Sequence, residues 1–149
     1  TRQLVELATQ QQASVIAVQD VPIEQTRSYG IVATRDFIGR HGEITAIVEK
    51  PRPEEAPSTL AVVGRYVLQP RIFELLESTK PGAGGEIQLT DGIAALLKEQ
   101  KTLAYRFEGR RFDCGSRIGL IEATLQYALE DADLRDAAKA LMRQALASG

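Results

Sequence analysis

Two hydrophobic rhythms run along this chain, one of period near 3.6 and one of short β-branched runs. Residues 1–12 follow the first, with Leu4, Leu7 and Ala8 on one helical face and Thr1 placed as its cap. Residues 14–18, Ser-Val-Ile-Ala-Val, follow the second and predict a buried strand. Residues 21–28 hold Pro22 and predict a loop; Ile31-Val32-Ala33 then predicts another strand. Residues 36–43 carry Gly39 and Gly42 and predict a hairpin tip with His41 in an exposed turn. Residues 44–48 return as a strand into Glu49-Lys50-Pro51, where proline ends the ladder.

The second half alternates strand and helix patterns. Residues 52–58, with Pro53 and Pro57, predict a surface loop, and residues 60–68 a strand interrupted by Gly64-Arg65. Pro70 suits the first turn of a helix whose apolar face is Ile72, Leu75 and Leu76. A glycine-rich loop over 80–86 leads into a helix over 88–99, and residues 103–108 predict a strand. Two helices close the chain. The first, over 117–130, aligns Ile118, Ile121, Leu125 and Leu129; the second, over 134–146, aligns Leu134, Ala137, Ala138, Leu141 and Ala145. Asp133 is placed to cap the second.

Composition narrows the function classes. The chain has 149 residues, 44% of them hydrophobic and 26% charged, enough apolar material for a core and about one domain's worth of chain. A net charge of −2, without basic runs interleaved with aromatics, argues against nucleic-acid binding. No apolar run nears the roughly 20 residues that span a bilayer. The single Cys114 rules out an intramolecular disulfide and fits a reducing, cytoplasmic setting. One histidine and one cysteine cannot build a zinc site, so any metal would be hard and oxygen-bound. Thr1 opens directly into a helical pattern, so a fragment is expected and a signal peptide is not.

The candidate chemistry centres on Glu49 and Lys50. On a regular strand they point to opposite faces. A turn at Pro51 can instead aim both at one cleft beyond the strand's C-terminal end, where open α/β sheets bind ligands. The carboxylate would accept hydrogen bonds from sugar hydroxyls and the ammonium would balance a phosphate. Taken alone, the pair reads as a solvated strand end. Gly30 either admits a ligand close to the backbone or merely starts a strand. Asp113 sits between an extended segment and the helix beginning near Ser116, placed either to bind Mg²⁺ or to cap the helix. The 80–86 loop lacks the Gly-Lys-Ser/Thr ending of a phosphate-binding P-loop and reads as a connection. Asp91 reads as a complement to the helix dipole. Cys114 reads as a small buried residue, since no histidine partner is in view.

In chain order stand Tyr29-Gly30-Ile31-Val32, Val48-Glu49-Lys50-Pro51, Val63-Gly64-Arg65-Tyr66-Val67-Leu68, Gly84-Gly85-Glu86-Ile87-Gln88-Leu89-Thr90-Asp91 and Asp113-Cys114-Gly115. This series resembles the C-terminal half of the bacterial UTP–glucose-1-phosphate uridylyltransferases. Each motif alone is weak; five in order are specific, and they cover nearly the whole chain. The resemblance implies an α/β, Rossmann-like nucleotide-diphospho-sugar transferase fold, incomplete because only its C-terminal portion is present, with two C-terminal helices. It implies that UTP and glucose 1-phosphate are the substrates and Mg²⁺ the cofactor. It further implies that Gly30 touches the sugar through its backbone, Glu49 accepts from glucose hydroxyls, Lys50 holds the sugar phosphate and Asp113 is one of two metal aspartates. Lys50 and Asp113 would then be the catalytic pair, neutralising charge and positioning the reactants.

The family's Gly-x-Gly-Thr-Arg loop, its following catalytic lysine and its first metal aspartate do not occur in these 149 residues. The chain is therefore expected to form the sugar-binding part of one domain and to be inactive alone. Thymidylyl- and adenylyltransferases are the nearest rivals. A non-catalytic assembly or sugar-phosphate-binding fragment is the alternative from another class. Missing strands should leave an open sheet edge, and residues 116–149 offer a subunit contact, so a homo-oligomer is expected.

Overall fold

The computed structural model describes residues 1–82 and 85–148, which leaves Ala83 and Gly84 of the glycine-rich loop outside the described residues. The chain divides into two compact units, Thr1–Glu108 and Gly109–Gly149.

The first unit is built on β1, Ser14–Asp20, which pairs antiparallel with β4, Leu60–Val67, and parallel with β5, Thr102–Arg106. Residues 14–18 are buried without a break, as expected of a strand covered on both faces. Period two then divides the side chains. Ile16 and Val18 join Val32, Ile47, Leu60 and Val62 under α2, Arg71–Ser78, and α3, Leu89–Leu96, which supply Ile72, Ile93 and Leu96. Val15 and Ala17 join Leu103 under α1, Arg2–Gln11, which supplies Leu4, Leu7 and Ala8. Burying each such leucine or isoleucine stabilises by about 1.5–3 kcal/mol, so the helical face read from the sequence is the one that anchors α1.

β2, Gly30–Ile38, and β3, His41–Glu49, form a hairpin longer than the sequence predicts, with only Gly39 and Arg40 at its turn. The expected tip over 36–43 is therefore mostly strand. His41 is half-buried as the first residue of β3, opposite Ile38 and Tyr105, rather than an exposed turn residue. Two register shifts bend the hairpin, and Asp36 in the second adopts a left-handed φ of 50°. The bent β3 reaches β5, and β2 meets β4 at Ile31 and Ala61. Among the described residues the sheet thus closes in the order β1–β4–β2–β3–β5, in place of the open edge the sequence predicts. Arg106 braces this closure, donating to Asp20 at 2.8 and 3.0 Å while lying over the Phe37 ring.

Smaller differences have local causes. The predicted loop over 21–28 contains a 3₁₀-helix, Ile23–Ser28, after Pro22, and the Thr26 hydroxyl donates to the Ile23 carbonyl at 2.7 Å. Thr1 makes no side-chain cap; its carbonyl instead accepts from the backbone N–H groups of Leu4 and Val5.

In the second unit, Ser116 caps α4, Arg117–Glu130, by accepting from the Gly119 N–H at 3.1 Å. The Phe112 ring packs on Tyr127 with centroids 5.8 Å apart. The cap predicted at Asp133 falls to Asp131, whose Oδ1 accepts from the N–H groups of Asp133 and Leu134 just ahead of α5, Arg135–Ala147. The predicted apolar face of α4 is not the buried one: Ile118 and Ile121 are exposed, and Gly119 and Ala123 are buried.

Candidate functional site

The site grows from the open end of the β2–β3 hairpin, where Gly30 and Glu49 stand opposite each other. The Lys50 N–H donates to the Tyr29 carbonyl at 3.0 Å, extending the ladder by one bond. Lys50 then turns the chain with a left-handed φ of 45°, unusual for a residue with a Cβ. The buried Pro51 follows. This is the turn the sequence predicts, and it overrides strand alternation. Lys50 Nζ lies 3.9 Å from Glu49 Oε1, so both charges face one side. Both side chains keep contact with solvent, so the pair itself contributes under about 1 kcal/mol.

Two residues that the sequence leaves without a role complete the surroundings of Glu49. Thr90, in the first turn of α3, donates its hydroxyl to Glu49 Oε2 at 2.5 Å. Tyr66 of β4 is partly buried, and its phenol is held above the ordinary tyrosine range, first by burial and second by the Glu49 charge. Both belong to motifs quoted above, but a helix start and a strand pattern account for their spacing. No local signal shows that α3 reaches the end of β3, or that Tyr66 of β4 feels the Glu49 charge. Gly30 completes the arrangement by having no side chain, since a Cβ there would come within 3.2 Å of Glu49 Oε2.

Asp113 belongs to the second unit, whereas Gly30, Glu49 and Lys50 belong to the first. Its Oδ1 accepts from the Gly115 N–H at 3.2 Å, and its carbonyl accepts from the Ser116 N–H at 3.2 Å and the Ser116 hydroxyl at 3.0 Å. The backbone is therefore set by a turn leading into α4. Cys114 is exposed, not buried as the sequence predicts, because this turn carries it outward. Among the described residues, no three His, Cys, Asp or Glu side chains gather to hold a metal. Asp113 thus suits a hard cation only as a single carboxylate ligand, the mode in which Mg²⁺ takes its remaining oxygens from phosphates and water.

A family model described as nucleotidyl transferase matches residues 1–130. The chain belongs to the nucleotidyl transferase family. It is similar to the UTP–glucose-1-phosphate uridylyltransferase of Pseudomonas aeruginosa, 52% identical over 126 residues, covering 83% of this chain and 44% of that protein. The protein of the same name from Bacillus subtilis is 47% identical over 135 residues, covering 91% and 46%. A crystal structure of UDP-glucose pyrophosphorylase complexed with UDP-glucose superposes with a TM-score of 0.81 at 42% identity, over 87% of this chain and 49% of that one. The resemblance drawn from the five motifs is thereby supported at the level of whole-chain similarity. The chain spans about half the length of the curated relatives it matches.

Proposed function

We propose that this chain is the sugar-phosphate side of a nucleotidyl transferase that makes UDP-glucose and pyrophosphate from UTP and glucose 1-phosphate. The observation that carries the reading is the convergence of Glu49 and Lys50 beside a side-chain-free Gly30. In the proposed reaction a phosphate oxygen of glucose 1-phosphate bonds to the α-phosphorus of UTP as the bond to pyrophosphate breaks. The attacking oxygen is already anionic, so positioning and charge neutralisation supply most of the catalysis. Gly30 lets the sugar approach the backbone, Glu49 accepts from its hydroxyls, and Lys50 balances its phosphate. Asp113 would be one ligand of a Mg²⁺ ion, which when bound screens the phosphate charges. The nucleotide-phosphate loop is absent from these residues, so the chain alone binds sugar phosphate without turning over. On this reading the chain works in the cytoplasm, where such substrates are found. Among the described residues no helix is long and apolar enough to cross a membrane.

Calorimetric titration of the 149-residue chain with glucose 1-phosphate tests this. Lys50→Ala and Glu49→Gln should each weaken binding by about tenfold or more, as expected when a charge-assisted hydrogen bond is lost. Pyrophosphate release with UTP should be absent. Equal binding by all three proteins, or none by the wild type, overturns the reading.

A second reading, a subunit-contact module, draws on the exposure of Ile118, Ile121, Leu134 and Leu141. It is compatible with the first.

A further inference from the structure

We propose that Thr90 is a positioning residue for Glu49, fixing which carboxylate oxygen is offered to the sugar; this rests on the sugar-site reading above. A glutamate has three side-chain torsions, and at a solvent-facing strand end nothing in β3 itself selects among their rotamers. The Thr90 hydroxyl supplies the selection from 41 residues away, at 2.5 Å, the short distance of a hydroxyl donating to an ionised carboxylate. Thr90 sits on a fixed base: α3 is held down by the buried Ile93 and Leu96, and β-branching leaves its χ1 only two helical rotamers.

The bond divides the labour between the two oxygens. Oε2 is engaged by Thr90 and lies over Gly30, where even a methyl group would crowd it at 3.2 Å. Oε1 is the oxygen turned toward Lys50, at 3.9 Å. A ligand carrying both hydroxyls and a phosphate therefore meets Oε1 and the ammonium together, and Thr90 holds the two at that spacing. Thr90 need not touch the sugar to affect its binding.

The test uses the 149-residue chain and the variants Thr90→Ser and Thr90→Val, with two readouts. Without ligand, NMR three-bond couplings of Glu49 should report one side-chain rotamer in the wild type and in Thr90→Ser, and rotamer averaging in Thr90→Val. With glucose 1-phosphate, Thr90→Val should weaken binding about tenfold and Thr90→Ser less than about twofold. Unchanged Glu49 couplings in Thr90→Val overturn the proposal. If the wild type binds no glucose 1-phosphate, the sugar-site reading falls, and the couplings still decide the role of Thr90. If Thr90→Val does not fold, the wild type decides: a Thr90 hydroxyl proton protected from exchange supports the bond, and a freely exchanging one overturns it.

Discussion

Lys50 shows how a single residue departs from the rule of its element. Alternation along β3 would send Lys50 away from Glu49. Its left-handed φ of 45° brings it back, a conformation that costs on the order of 1 kcal/mol for a residue with a side chain. The backbone is held there by the Lys50–Tyr29 hydrogen bond on one side and the buried Pro51 on the other. Tyr66 reports the charge that results. Its phenol binds its proton more tightly in the folded chain, because burial and then Glu49 oppose the phenolate. The stability this contributes is complete below the unfolded value of about 10 and is lost as pH rises through the higher folded value. Glu49→Gln removes only the lesser cause. We expect near-ultraviolet titration to show the Tyr66 phenolate forming at lower pH in Glu49→Gln, yet still above the ordinary range, with Tyr66→Phe lacking this component. An identical titration in Glu49→Gln would show that the carboxylate does not act on Tyr66.

Among the elements, the start of α4 is the most tightly specified. Gly119 lies against the turn that sets Asp113. A Cβ on it would overlap the Asp113 carbonyl oxygen and approach Ser116 Oγ to 2.7 Å. The carbonyl is backbone and already accepts two hydrogen bonds, so it has little room to yield. Gly119→Ala should therefore destabilise α4 by about 1–3 kcal/mol, the usual range for overpacking, despite alanine's better helix propensity. Amide exchange in the first turn of α4 should quicken at least about tenfold; unchanged exchange would show that the Asp113 turn adapts freely. The sequence indicates a cap at this helix start. It does not indicate that the third residue of the helix must lack a side chain, because that depends on where the preceding turn folds back.

For the whole molecule, the closed sheet alters where association is expected. The open edge predicted from missing strands is absent among the described residues, since β3 pairs with β5. The two terminal helices expose apolar side chains, Ile118 73%, Leu141 67% and Leu146 84% accessible, as the first unit does at Ile38 and Phe73. We propose the terminal helices as the contact face, since there Ile118, Ile121, Leu134, Leu141 and Leu146 are exposed on two consecutive helices. Sedimentation should show concentration-dependent self-association of the wild type, and the double variant Ile118→Glu/Leu141→Glu should shift it toward monomer with the melting of Thr1–Glu108 unchanged. A strictly monomeric wild type would remove the case for a helix-mediated contact.

The amino-acid sequence by itself determines the alternation of strands and helices, the buried faces of α1 and β1, and the end of β3 ahead of Pro51. All of these follow from short-range periodicity and from proline's backbone restriction, which act within a few residues. Only the tertiary structure decides that Thr90 bonds Glu49, that Tyr66 feels the Glu49 charge, that His41 pairs within a ladder, and that the sheet closes through a bent hairpin. Those outcomes depend on contacts between residues tens of positions apart, where the bulges in β2–β3 and the packing of α3 set distances that no local pattern encodes. The buried face of α4 belongs with them: its sequence favours Ile118 and Ile121, and packing buries Gly119 and Ala123 instead.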